Sequence, residues 1–98
     1  MALMLRADYQ KIGDFLSSMA NARRLTILCL LIEGELPVGE LARRVGLSQS
    51  AVSQHLARLR QQKLVRIRRE AQMIYYRCEN PRVKIILDAL EGIFPQSV

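Results

Sequence analysis

A tight turn between two short helical patterns constrains the fold of this chain more than any other feature. Gly46-Leu47-Ser48 separates a short pattern from a longer one. Apolar residues recur at three- and four-residue spacing on both sides: Leu41, Ala42 and Val45 before the turn, and Val52, Leu56 and Leu59 after it. Gly46 tolerates the backbone that ends a helix, and Ser48 is a good N-cap for the next. Residues 38–63 therefore predict a helix-turn-helix.

The flanking segments complete one predicted domain over residues 1–98, a length that suits one domain and is too short for two. Helices are predicted over 8–19, from Asn21 to Gly34, and over 81–94, with Asn21 and Asn80 at helix starts. Residues 65–78 are rich in Val, Ile and Tyr and predict a hairpin that turns at 70–72. The predicted fold class is mainly α with a two-stranded β-hairpin wing, in the order α1-α2-α3-α4-β1-β2-α5, a winged helix-turn-helix. The buried stripe expected on the second helix is Leu25, Leu28, Cys29 and Ile32.

The net charge of +6 is concentrated in one part of the chain. Residues 41–69 hold eight of the fifteen Arg and Lys residues and no Asp or Glu, so all nine acids lie elsewhere. Such segregation favours a polyanionic partner, and we expect double-stranded DNA. A solvated basic face is the alternative interpretation.

The longer helix of the motif is the candidate reader of bases. A step of about 100° per residue from its apolar stripe turns small and amide side chains outward. Gln54 suits paired hydrogen bonds to adenine, and Ala57 suits contact with a thymine methyl. The helix flanks and the wing offer arginines for phosphates. The candidate DNA-binding residues are Ser48, Gln49, Ser50, Ser53, Gln54, His55, Ala57, Arg58, Arg60, Arg66, Arg68, Arg69 and Gln72.

Three stretches carry a resemblance to a known family: residues 19–28, residues 38–42 with 47–56, and Arg69-Glu70-Ala71-Gln72 followed by Ile74-Tyr75-Tyr76. They resemble the ArsR/SmtB family of winged-helix repressors, most closely the NolR/HlyU/BigR branch. The resemblance implies a homodimer that binds an imperfect inverted repeat in a promoter. It also implies an interface built from the first and last helices, whose candidate residues are Tyr9, Ile12, Phe15, Leu16, Met19, Ile86, Leu87, Leu90 and Phe94.

Metal sites known in that family do not match this sequence. Pro37 and Gly39 stand where one family site has its two cysteines, and the last helix has no histidine. Transition metals require imidazole or thiolate ligands in number, so we expect no metal and no cofactor. The chain's single histidine, His55, is expected to contact phosphate at a helix flank or to pack against the helix.

The two cysteines leave the mode of regulation open. Cys29 matches a redox cysteine of the resembled branch, but Pro95 stands at the partner position and Cys78 lies at the end of the hairpin. Cys29 is interpreted as a small core residue. The alternative is a thiol- or persulfide-switched repressor that uses Cys29 and Cys78.

Two other classes of function fit the sequence less well than DNA binding. A different class is a winged-helix protein-interaction module that does not touch DNA. An enzyme is not expected, because no catalytic constellation is recognisable. The first five residues are too short for a signal-peptide core and the apolar runs are too short for a membrane span. We therefore expect a cytoplasmic protein without a membrane partner.

Overall fold

The computed structural model describes residues 8–96 and contains five helices and three strands within that range. Their order is α1 (Tyr9–Met19), α2 (Ala22–Glu33), β1 (Leu36–Pro37), α3 (Val38–Val45), α4 (Gln49–Gln61), β2 (Arg66–Glu70), β3 (Met73–Arg77) and α5 (Pro81–Ile93). The predicted fold class, mainly helical with a hairpin wing, is confirmed. The first five residues, considered above as a possible leader, lie outside the described range.

Side-chain caps begin four of the helices, and the sequence predicts three of them, all except the cap that Asp8 forms on α1. The Asn21 side chain accepts hydrogen bonds from the backbone N–H groups of Arg23 and Arg24, at 2.9 and 3.1 Å. Ser48 Oγ accepts from the Ala51 N–H at 3.2 Å, and the Asn80 side chain caps α5. These side chains satisfy N–H groups that have no partner inside the helix.

The wing is part of a three-stranded sheet, so the expectation of two strands was incomplete. The strand order is β1-β3-β2 and both pairings are antiparallel. Leu36 pairs with Tyr76 and Pro37 with Tyr75, which ties the wing to the segment between α2 and α3. A strand of two residues is too short to show the alternation from which strands are predicted.

The core is formed where α2, α3 and α4 meet. Its buried apolar residues are Met19, Ile27, Leu28, Leu31, Leu41, Ala42, Val45, Val52, Leu56, Leu59, Leu64, Val65, Cys78 and Val83. The predicted stripes of α3 and α4 are all buried.

Two sequence expectations are corrected by this core. On α2 the fully buried residues are Ile27, Leu28 and Leu31, whereas Cys29 is exposed and therefore is not a core residue. Met19, expected at a dimer interface, is 3% exposed and packs inside its own chain.

Among the described residues no single helix is long and apolar enough to cross a membrane. Helices α1 and α2 pass that test of length and composition only when taken together, and they are bent by 88° at the break between them.

Candidate DNA-binding site

The turn between α3 and α4 fixes how the two helices cross. Gly46 has a φ of 77°, in the left-handed region that favours glycine. The Ala42 carbonyl accepts hydrogen bonds from the N–H groups of Gly46 and Leu47, at 2.9 and 3.1 Å. Ser48 then starts α4 directly. The chain thus reverses within three residues and leaves α4 with one face in the core and one outside.

The exposed face of α4 carries the predicted base-reading residues. Four side chains there are small or end in an amide and are exposed: Ser50, Ser53, Gln54 and Ala57. Ser48 and Gln49 are exposed at the start of the helix, where the N-terminal end of the helix dipole is positive. The Gln49 side chain lies beside Gly39 of α3, since a Cβ built on Gly39 would meet Gln49 Nε2 at 3.3 Å.

His55 lies at the side of α4 that faces the start of α2. Its Nδ1 is 3.4 Å from an Nη atom of Arg24. Burial and the neighbouring charges of Arg24 and Arg23 lower the pKa of His55. The imidazole is therefore neutral at pH 7, and its Nδ1 can accept a hydrogen bond from Arg24.

Arg23 and Arg24 are residues that the sequence reasoning did not select. Arg23 donates to the Val45 carbonyl at the end of α3, at 3.2 Å, and Arg24 Nε donates to the Ser18 carbonyl at the end of α1, at 2.6 Å. Both satisfy carbonyls in the last turn of another helix. One signal in the sequence could have indicated a role for them. Both lie in the first turn of α2, where the helix dipole disfavours positive charge, so a specific contact is needed to offset that cost.

Arginines on the flank of α4 and on the wing differ in how far they are neutralised. Arg58 donates to Ser17 Oγ at 3.1 Å, and Arg60 is exposed. Arg66 and Arg69 are also exposed, and no carboxylate of residues 8–96 forms an ion pair with any of these four arginines. Their charges are available to a polyanion.

Arg68 is held differently. Its guanidinium donates to both carboxylate oxygens of Glu35, with Nε at 3.1 and 3.0 Å, and it lies over the Tyr75 ring at 4.6 Å from the centroid. Glu70 pairs with the same guanidinium at 3.3 Å. Two carboxylates beside one arginine leave this part of the wing without excess positive charge.

Acidic residues just outside the acid-free segment fold back onto it. Glu40 accepts hydrogen bonds from Arg43 and Arg44, and these lower the pKa of its carboxyl to about 2. Glu35 does the same for Arg68, and its pKa is also lowered. The charge read from residues 41–69 therefore overstates the free positive charge on the surface.

The residues expected at a dimer interface are only partly on the surface. Tyr9, Ile12, Leu16 and Phe94 are exposed, while Phe15, Ile86, Leu87 and Leu90 are half-buried. Ile85 and Ile93 were not selected, yet each is 66% exposed. An open groove of about 650 Å³ lies between α1 and α5 and is lined by Asp8, Lys11, Ile12, Phe15, Leu16, Arg82, Ile85 and Ile86.

Both cysteines are free thiols, and the surroundings of each favour the protonated thiol over the thiolate. Cys29 is exposed in a groove between α2 and α5, whereas Cys78 is buried. Burial and the nearby carboxylates Glu33 and Glu91 raise the pKa of Cys29, and burial raises the pKa of Cys78. A raised thiol pKa lowers the fraction of reactive thiolate at pH 7.

No group of three or more His, Cys, Asp or Glu side chains within residues 8–96 could hold a metal ion.

A helix-turn-helix with an exposed second helix and an adjoining β-sheet wing defines a winged helix-turn-helix DNA-binding protein. The family model described as "Bacterial regulatory protein, arsR family" matches residues 21–66. The chain belongs to this family of transcription regulators.

Three relatives illustrate the similarity. The nodulation protein NolR of Rhizobium meliloti is 53% identical over 87 residues, covering 89% of this chain and 71% of NolR. The transcriptional activator HlyU of Vibrio cholerae is 50% identical over 82 residues, covering 84% and 76%. The crystal structure of the transcriptional repressor BigR from Xylella fastidiosa superimposes with a TM-score of 0.88 at 30% identity, covering 99% of each chain.

Proposed function

We propose that this protein is a transcriptional repressor that binds an inverted-repeat operator as a homodimer, in the cytoplasm and without a metal or cofactor. In this mechanism α4 lies in the major groove and Gln54 reads a base edge. Arg58, Arg60, Arg66 and Arg69 contact phosphates on either side. A bound dimer blocks access to the promoter.

The observation that carries this proposal is the exposed face of α4. Its side chains are short or amide-bearing, it has no acidic residue, and arginines without a carboxylate partner flank it on the helix and on the wing. An ordinary solvated helix face mixes Glu with Lys, whereas a face without acidic residues avoids repulsion from the phosphates that border a groove.

A second copy of the chain is the proposed occupant of the α1–α5 surface. Tyr9, Ile12 and Leu16 on α1 and Ile85 and Ile93 on α5 are exposed apolar side chains. Covering them stabilises a dimer, and an inverted repeat requires two reading helices related by a two-fold axis. The absence of a metal cofactor is proposed because Pro37 and Gly39 supply no ligand.

Regulation through the thiols has less physical support. The raised pKa values of Cys29 and Cys78 oppose rapid oxidation. A protein-interaction module without DNA binding has less support, because the arginines that border α4 without a carboxylate partner suit phosphate contacts on both sides of a groove.

The decisive experiment selects bound fragments from genomic DNA and measures binding to the strongest one over a range of salt concentrations. We expect log affinity to fall steeply with log salt, since several phosphate contacts release counterions. Binding should occur as two chains per inverted repeat, and peroxide or Cys29→Ser should leave the affinity unchanged. Absence of binding at moderate salt, or an affinity independent of salt, would refute DNA binding.

A further inference from the structure

Two arginines from different helices converge on one serine near the edge of α4. Arg24 lies in the first turn of α2, and its guanidinium is 3.4 Å from the Ser17 carbonyl. Arg58, on α4, donates to Ser17 Oγ at 3.1 Å. His55, one turn earlier on α4, contacts the other side of the Arg24 guanidinium. Ser17, Arg24, His55 and Arg58 are called the Ser17 cluster below.

The Ser17 cluster is positively charged and has no counter-ion among residues 8–96. No carboxylate of the described residues pairs with Arg24 or Arg58. By contrast, Arg43, Arg44, Arg68 and Arg77 each pair with a glutamate. Burial lowers the pKa of Arg24, and the like charge of Arg58 lowers it further.

The cluster also has unused hydrogen-bond donors. A guanidinium has five N–H groups in a planar fork. Arg58 uses one of them, to Ser17, and Ser17 and Arg58 are both exposed. Arg24 Nε donates to the Ser18 carbonyl at 2.6 Å, which holds the guanidinium against the end of α1. Its guanidinium is thereby fixed in position, which favours binding of a planar or tetrahedral oxyanion.

We propose that the Ser17 cluster binds one backbone phosphate of the DNA duplex that α4 reads. This inference rests on the proposed DNA binding and extends it to helix α2, which the helix-turn-helix motif does not include. Arg58 follows Ala57, which lies on the exposed face, so a phosphate at the edge of the groove containing α4 comes within reach of Arg58. Arg24 then supplies the second guanidinium, and the single negative charge of the phosphate offsets half of the charge of the two arginines.

The test measures DNA affinity as a function of salt for Arg58→Gln and Arg24→Gln. Each substitution is expected to reduce the log–log salt slope by at most about 1, and the double variant should lose no more than about 1, because both arginines contact the same single phosphate. All operator variants should weaken alike, because a phosphate contact carries no sequence information. Arg77→Gln is the matched control: it removes the same charge from an arginine already paired with Glu79, and the slope should not change. If Arg24→Gln disturbs the end of α1, Arg58→Gln remains as the readout, because within residues 8–96 the Arg58 side chain bonds to the Ser17 hydroxyl and to no backbone atom.

Three outcomes would overturn the inference. If the wild type binds DNA and a folded Arg24→Gln variant keeps the wild-type salt slope, α2 contacts no phosphate and the cluster is not one site, although the proposed function stands. If inorganic phosphate alone shifts the NMR signals of His55 while Arg58→Gln leaves DNA binding intact, the cluster is a site for free anions. A wild type that binds no DNA refutes the proposed function, and this inference with it.

Discussion

Glu35 and Arg68 are 33 residues apart in the sequence and form a bidentate ion pair that spans the wing. The pair joins β2 to the segment before β1, across β3 and over the ring of Tyr75. Exposed ion pairs usually contribute little, but a bidentate geometry with a stacked guanidinium is the exception. The pair therefore positions the wing relative to α2.

Breaking this pair should loosen the wing. We expect Glu35→Ala and Arg68→Ala each to increase amide hydrogen exchange in β2 and β3, and the double variant to add nothing further, because the two residues act through one contact. Arg66→Ala is the control, since Arg66 lies on the same strand without an ion pair among the described residues. Additive effects of the two substitutions would contradict a shared contact.

The three wing arginines should differ in their contribution to DNA binding. Arg66→Ala and Arg69→Ala are expected to reduce the salt slope by about 1 each. Arg68→Ala should reduce it less, because Glu35 and Glu70 already neutralise that guanidinium. An equal loss for Arg68→Ala would mean that Arg68 leaves its partners to bind phosphate.

Gln54 is predicted to read sequence. Gln54→Ala should cost about 1–3 kcal/mol on the preferred operator and should relax the preference at one base pair. Affinities for a panel of single-base operator variants measure this effect. Gln62→Ala serves as the control, since Gln62 is exposed but lies beyond the end of α4. Unchanged relative affinities across the panel would show that another residue reads the base.

His55 should make the stability of the fold depend on pH. Its pKa in the folded protein is lowered from the ordinary value of about 6.5, so the unfolded chain takes up the proton first as the pH falls. The free energy of unfolding should therefore decrease from pH 7.5 to pH 5.5. His55→Gln should flatten this decrease in urea titrations, because His55 is the one histidine in the chain. The same pH dependence in the variant would contradict the assignment.

Gly46→Ala and Gly34→Ala should differ in their effect on the free energy of unfolding. Gly46 has a φ of 77°, and a Cβ there meets no atom within 4 Å, so the cost of Gly46→Ala is conformational and about 1 kcal/mol. Gly34 has a φ of 174°, which any residue adopts, and a Cβ there also has open space. Urea unfolding should give little or no loss for Gly34→Ala. Equal losses would rule out a conformational cause.

Leu16 tests the proposed dimer. Leu16→Glu should convert the protein to monomers in analytical ultracentrifugation, because a charge cannot be buried in an apolar interface without a partner. Met73→Glu is the matched control, with 46% exposure against 45% for Leu16, but it lies on the wing. Loss of folding is not expected, as Leu16 is outside the core. A dimeric Leu16→Glu variant would refute an interface at α1.

Local signals made much of this molecule predictable. Asn21, Ser48 and Gly46 each form their capping hydrogen bonds with residues at most four positions away, so the sequence alone indicates their roles. The exposed face of α4 follows from helix geometry once its apolar stripe is known.

The errors arise where the sequence pattern is ambiguous or the partner is distant. Helix α2 has an almost continuous apolar run from Ile27 to Ile32, so its periodicity did not show that Cys29 faces outward. Glu35 meets Arg68 only through the tertiary fold, which no local pattern encodes. Arg23 and Arg24 were missed for the same reason, because each acts on the end of a different helix.

The short strand β1 has a consequence for the order in which the structural elements form during synthesis. It pairs with β3 through Leu36 and Tyr76, forty positions apart, whereas α3 and α4 are neighbours along the chain. Local contacts form early and long-range pairings wait for the later partner. During synthesis on the ribosome, the helix-turn-helix is therefore available before β3 has emerged, and β1 gains its pairing partner only afterwards.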